Sequence, residues 1–179
     1  MKFLLGFVLA IVLICLGGWI YLKYGHLPVA VADKPFPMEA QIVRVPLHAR
    51  IDKEMQQPPF PVSEDVYEAG AATYKEMCAS CHGLPGRDVE FAQWMYPKAP
   101  QLWKKHTKKR AGKDVVGVSD DDPGETFWKV KHGLRLTGMP SFEHVLSEPE
   151  MWDVALLLKN ADQPLPDPVK DILVVKSKF

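Results

Sequence analysis

Cys78-Ala79-Ser80-Cys81-His82 brings two thiols and an imidazole within five residues. Such thiols can add to the two vinyl groups of a haem, and the next imidazole can take the iron, so C-x-x-C-H reads as a c-type haem attachment site. The spacing has a mechanical reason. Residues three apart share one face of a helical turn, which puts both sulfurs on the same side. His82 continues that turn and can reach beneath the ring plane. Two rival chemistries fit less well. A closed zinc site needs four ligands, and the chain has no second cysteine pair. A thioredoxin-type dithiol expects a βαβ pattern around it, and none is visible.

A haem iron with one histidine leaves a sixth position to fill. Downstream runs Leu134-Arg135-Leu136-Thr137-Gly138-Met139-Pro140-Ser141-Phe142. Gly138 gives backbone freedom, while Pro140 fixes φ and pushes its predecessor toward an extended conformation. A methionine on such a loop can present its thioether to a metal, whereas most methionines fill cores. Met1, Met38, Met55, Met77, Met95 and Met151 lack this Gly–Pro frame. His82 and Met139 are therefore the candidate iron ligands. This pair is an electron-transfer arrangement, in which the thioether raises the reduction potential.

On these two segments the chain resembles the small monohaem c-type cytochromes with His/Met ligation. Gly70 and Tyr74 before the motif, and Trp152 in the last predicted helix, support the likeness. The resemblance covers about residues 63–160, a typical single-domain length. It implies one covalent haem c held by Cys78, Cys81, His82 and Met139, in an all-α, cytochrome c-like fold. It implies that Gly70 lets the last helix cross the first closely, with an aromatic residue at the crossing. Relatives also use a proline carbonyl to orient the axial histidine. Pro85 is very close after His82 and Pro97 rather late, so the acceptor stays unassigned. Pro97 and Ala99-Pro100-Gln101-Leu102-Trp103 resemble the segment lining one haem edge.

The elements that must hold these groups are legible in their caps. Ser63 opens a helix with Glu64 and Asp65 in its first turn, and Val66, Tyr67, Gly70, Tyr74 and Met77 follow at helical spacing into Cys78. Asp122-Pro123-Gly124-Glu125 combines an N-cap, a proline at the first position and an acid two residues on; it starts a helix to His132, closed by Gly133. Ser147-Glu148-Pro149-Glu150 is a capping box for a final helix, in which Trp152, Ala155, Leu156 and Lys159 make one stripe. Residues 83–120 read as loops and short turns. The tail, 161–179, ends in an apolar run from Ile172 to Val175 that suits either a docking strand or a helix.

The first third of the chain differs in kind. Phe3 to Leu22 is uncharged and apolar enough, over about 30 Å of helix, to cross a bilayer core. Trp19, Tyr21 and Tyr24 crowd its end, where amphipathic rings favour the interface. We read residues 1–24 as an uncleaved single-pass anchor. The rival is a signal peptide cut near Ala30-Val31-Ala32, but the apolar stretch is long for one and the site lies well beyond it. Lipidation at Cys15 is disfavoured by bulky Ile14 before it. Residues 25–62 carry seven of the 16 prolines and read as an extended, Pro-rich linker with a short strand at Ile42-Val43-Arg44-Val45. The linker is either a tether or a segment that wraps the domain; the composition favours neither.

Twenty-two charges of each sign give net charge +0, which offers nothing to nucleic acid or to an acidic substrate. Lys104-Lys105-His106-Thr107-Lys108-Lys109-Arg110 is the dense charge run. It is a solvated loop or a steering patch for an acidic partner. His26, His48, His106, His132 and His144 are spare imidazoles, of which His132 and His144 flank the Met139 loop and could displace the thioether.

The expectation is thus a membrane-anchored electron carrier with no catalytic residue and no small-molecule substrate. Its haem would be wrapped by Tyr74, Leu102, Trp103 and Phe142, with one edge open near the cysteines. Because covalent haem attachment in this family takes place outside the cytoplasm, the resemblance puts the domain on the periplasmic or outer side of a bacterial inner membrane. Its partners would be redox proteins or a membrane oxidoreductase complex, in the latter case with the chain as a respiratory subunit. The alternative is a haem enzyme or gas sensor with an open sixth position.

Overall fold

In the computed structural model, residues 2–108 and 113–174 are described. They form two compact units, residues 1–39 and 40–179. The first holds α1, Lys2–Tyr24, a helix long and apolar enough to cross a membrane, with a mean hydropathy of 2.7. Cys15 is a free thiol on it. After α1 the chain turns at Asp33, whose carboxylate accepts from the backbone N–H groups of Val29 and Ala30 at 2.9 and 2.8 Å.

The second unit opens with α2, Glu39–Glu54. The strand expected over residues 42–45 is therefore not formed; those residues are helical, with Pro46 inside the same helix. Tertiary contact decides against the local signal. Ile51 is 1% exposed, and the Trp128 indole N–H donates to the Glu54 carboxylate at 3.0 Å. Burial of Ile51 and the hydrogen bond to a charged acceptor offset the bond that Pro46 cannot make.

Three further helices start where their caps demand. α3, Glu64–Met77, begins at Ser63, whose hydroxyl accepts from Val66 N–H at 3.3 Å. The motif turn α4, Ala79–His82, follows directly. α5, Pro123–His132, begins at Asp122, which accepts from Gly124 N–H at 2.7 Å, and ends at Gly133 with φ 66°. α6, Glu148–Lys159, has both arms of the capping box at Ser147 and Glu150. The tail forms α7, Asp167–Leu173, so its apolar end is helical up to Leu173; Val175 lies outside the described residues.

α6 is the central element. α3 packs on one side of it and α5 on another, while α7 packs on α3. The sequence predicts a single apolar stripe on α6, yet Met151, Trp152 and every residue from Val154 to Leu158 are buried, because neighbours enclose it from more than one direction. Ala71, Tyr74, Val154, Leu157, Val169 and Leu173 form one core layer. Phe127, Val130, Leu146, Met151, Trp152 and Ala155 form another.

Between α4 and α5, the expected loops contain more regular structure than their composition suggests. A 3-10 turn occupies Glu90–Trp94. An antiparallel hairpin pairs β1, Lys105–Lys108, with β2, Lys113–Val116. The basic run is partly neutralised there: Lys104 pairs with Asp88 at 2.6 Å and Lys105 with Asp114 at 3.0 Å. Lys109 and Arg110 lie outside the described residues.

Candidate cofactor site

α3 delivers the C-x-x-C-H turn to one wall of a cavity of about 550 Å³, and the loop after α5 delivers Met139 to the same cavity. Cys78, Cys81, His82 and Met139 all line it, together with Leu102, Phe142 and Val154. The volume falls within the range of about 300–1,000 Å³ usual for cofactor and small-molecule sites. Both motif thiols are free.

His82 is oriented. Its Nδ1 lies 2.8 Å from the carbonyl oxygen of Pro100, so that nitrogen donates and Nε2 is the one left to bind a metal. The acceptor that the sequence leaves unassigned is therefore Pro100, later than either Pro85 or Pro97. Burial lowers the His82 pKa, and the Pro100 hydrogen bond opposes that shift. The neutral imidazole favoured by burial is the form that ligates.

Gln101 locks this arrangement, a role its sequence position does not announce. Its amide donates to the carbonyls of Cys81 at 3.1 Å and Ala99 at 3.2 Å, while Val89 N–H donates to its oxygen at 2.7 Å. The only signal in the sequence is a long amide directly after Pro100. Cys78 sits deep in the turn. Burial, with the neighbouring Cys81 thiol adding to it, pushes its pKa up to about 12, so it is held as the thiol.

The Met139 loop is fixed by hydrogen bonds rather than by helix. Thr137 Oγ1 donates to Leu134 O at 2.7 Å and accepts from Met139 N–H at 3.0 Å. Leu134 N–H donates to Met139 O at 3.2 Å, closing a tight loop. Behind it stand Phe127 and Trp152, stacked with centroids 4.1 Å apart and planes 7° from parallel.

Two expectations about the walls need correction. Leu102 and Phe142 line the cavity, but Tyr74 and Trp103 do not. Tyr74 is fully buried in the core, and its hydroxyl donates to Gly83 O at 2.8 Å. That burial pushes its pKa well up. Trp103 meets Tyr74 edge to face at 5.8 Å. Both rings support the motif turn from behind. Nor do His132 and His144 reach the cavity; the spare imidazole on its wall is His48, from α2. His132 lies against Trp128 instead, with ring centroids 4.9 Å apart.

The donor set suits haem better than a bare ion. Among the described residues, no three His, Cys, Asp or Glu side chains gather to hold a metal by themselves. One oriented imidazole, one thioether and two thiols around an apolar space match a flat, largely apolar group that brings its own four iron ligands.

Residues 65–158 match the family described as cytochrome c oxidase, cbb3-type, subunit III. The chain belongs to that family of c-type cytochrome domains. No curated protein matches the chain. The matched segment runs from α3 into α6 and includes the motif turn, the Pro100 segment and the Met139 loop. The family implies a haem cofactor and an electron-carrying role for the cytochrome domain. α2 and α7 lie outside the matched segment.

Proposed function

We propose that this protein is a membrane-anchored monohaem cytochrome that passes single electrons between redox proteins on the outer side of a bacterial inner membrane. The observation that carries the reading is the convergence of Cys78, Cys81, His82 and Met139 on one apolar cavity, with His82 already held in the ligating tautomer. The haem supplies an iron that alternates between ferric and ferrous states. The residues of the chain do the rest. Cys78 and Cys81 would hold the ring, each thiol adding across a haem vinyl group to give a thioether. His82 and Met139 would be the two protein ligands to the iron, and with both bound the iron would offer no position to a substrate. Leu102, Val130, Phe142, Val154 and Leu158 line the cavity and would keep water from the iron.

α1 supports the anchor, since nothing else in its unit gives an apolar helix of that length a reason to exist in water. The family's description supports a place beside a membrane oxidoreductase, to or from which the tethered domain would pass electrons. Periplasmic placement follows from the chemistry of covalent haem attachment that the resemblance implies.

The deciding experiment is optical. The purified full chain should give a haemochrome spectrum of one haem per chain that survives acid-acetone extraction. Its ferric form should show a weak band near ~695 nm, a spectroscopic expectation for methionine ligation, which disappears in Met139→Ala but persists in Met77→Ala and Met95→Ala. A high-spin haem that binds carbon monoxide readily in the unaltered protein would instead establish an open sixth position and the enzyme or sensor reading.

A further inference from the structure

We propose that α2, a helix outside the family-matched segment, completes the cofactor site by presenting Arg44, with His48 beside it, to the carboxylate groups of the haem. The inference rests on the haem reading above. It starts from the charges on the cavity wall. Besides the ligand candidate His82, four basic side chains line it, Arg44, His48, Lys98 and Lys129, and among the described residues no Asp or Glu does. Lys129 is already neutralised, by Glu125 at 2.5 Å and Asp121 at 3.9 Å. Among the described residues, no carboxylate pairs with Arg44, His48 or Lys98. A filled cavity would strip water from these cations, which is unfavourable unless the occupant brings anions to face them. Haem brings two carboxylates on flexible arms. The fixed fork of a guanidinium matches a carboxylate with two parallel hydrogen bonds.

The placement of Arg44 and His48 is specific. Arg44, Leu47, His48 and Ile51 recur at helical spacing, so they share one face of α2. The first three line the cavity, and Ile51 anchors the stripe in the interior. The next turn is tied down on α5: Glu54 accepts from Trp128, and the Arg50 guanidinium lies 5.7 Å over the Trp128 ring. Just beyond, the chain passes so close to α5 that a Cβ at Gly124 would strike the Gln56 carbonyl. The helix is thus registered against the domain before any cofactor is considered, and the register puts a guanidinium at the cavity.

The test uses the detergent-purified, haem-loaded full chain as wild type, Arg44→Gln, Arg44→Lys and, as a surface control on α7, Lys170→Gln. Reduction potential, resonance Raman bending modes of the haem carboxylates, haem content, Tm and the rate of electron exchange with an acidic redox protein are measured on each. Removing a cation beside the carboxylates leaves more negative charge near the iron and favours the ferric state. Arg44→Gln should therefore lower the potential and shift the carboxylate modes at unchanged haem content. Arg44→Lys should restore most of the potential but not the modes, and Lys170→Gln should change neither. An unchanged potential and unchanged modes in Arg44→Gln would overturn the proposal, and slower electron exchange with an acidic partner at unchanged potential would also overturn it in favour of a docking role. A wild-type chain carrying no covalent haem would overturn the haem reading itself, which is a separate result.

Discussion

Gly70 on α3 and Asp153 on α6 meet backbone to backbone. A Cβ at position 70 would collide with the Asp153 carbonyl, lying 2.7 Å from its carbon and 3.2 Å from Leu157 Cβ. Neither obstacle is the free end of a flexible side chain, so the crossing must open to admit even a methyl group. Gly70→Ala is expected to cost about 3 kcal/mol, the upper end of typical overpacking. Denaturant unfolding followed by far-UV circular dichroism measures this. Because α3 carries the motif turn, haem content should fall as well. A variant as stable as the wild type would mean that the helices are not in contact here.

Gln101 ties three backbone groups, one on the motif turn and two in the loops that follow it. Gln101→Leu keeps the volume and leaves the Cys81 and Ala99 carbonyls and the Val89 N–H without that partner. One or two stranded, half-buried groups predict a loss of about 2–3 kcal/mol. The larger effect should appear at the metal, since the Pro100 carbonyl that orients His82 lies between Ala99 and Gln101. The holoprotein should lose its single, sharp ligand-field signature in electron paramagnetic resonance and show a spread of histidine orientations. An unaltered signal would reduce Gln101 to loop packing.

Much of this is legible in the residues, and the reasons differ by element. Ser63, Asp122 and Ser147 announce their helices because an N-cap acts on the next three residues and needs no tertiary context. The C-x-x-C-H turn and the Gly138-Met139-Pro140 frame are equally local. α2 is hidden because its stability is not local. Pro46 and its proline-rich surroundings argue for extended chain, and tertiary contacts overcome that local preference: Ile51 in the core, with Glu54 and Arg50 at Trp128. His48 is hidden with it, while His132 and His144, near Met139 in sequence, prove to be elsewhere in space. The β1–β2 hairpin escapes notice for a related reason: six of its eight strand residues are charged or polar, and of the two valines in β2 Val115 is the buried one.

The Glu54–Trp128 contact makes α2 sensitive to acid. The Trp128 hydrogen bond, then the hydrogen bond from Arg50, hold the Glu54 carboxyl below its ordinary pKa. A depressed folded-state pKa adds stability above the unfolded value, and that contribution is lost as the pH falls through the folded value. α2 should therefore be fully docked at neutral pH and loosen below the usual carboxylate range. Relative to the intrinsic exchange rate at each pH, the protection of residues 40–54 should fall on acidification more than that of α3. In Glu54→Gln the protection should already be lowered at neutral pH and change less with acid. Equal protection of α2 in both proteins at both pH values would show that Ile51 alone holds the helix.

Trp152 bears on the distal side of the site through packing rather than ligation. Its ring lies flat on Phe127, and the cluster they share touches Met77, Met139 and Phe142. Removing the indole deletes one half of a stacked pair in a buried layer, where neighbouring helices can close only part of the gap. Trp152→Ala should destabilise the fold by about 3–5 kcal/mol, whereas Trp152→Phe, which retains a ring for Phe127, should cost much less. The thioether then loses part of the wall behind it. In the holoprotein, Trp152→Ala should weaken methionine ligation, seen as faster carbon monoxide binding to the ferrous form, with Trp152→Phe close to wild type. If carbon monoxide binds both variants at the wild-type rate while Trp152→Ala is destabilised as expected, the loop hydrogen bonds of Thr137 and Leu134 hold Met139 without help from the core.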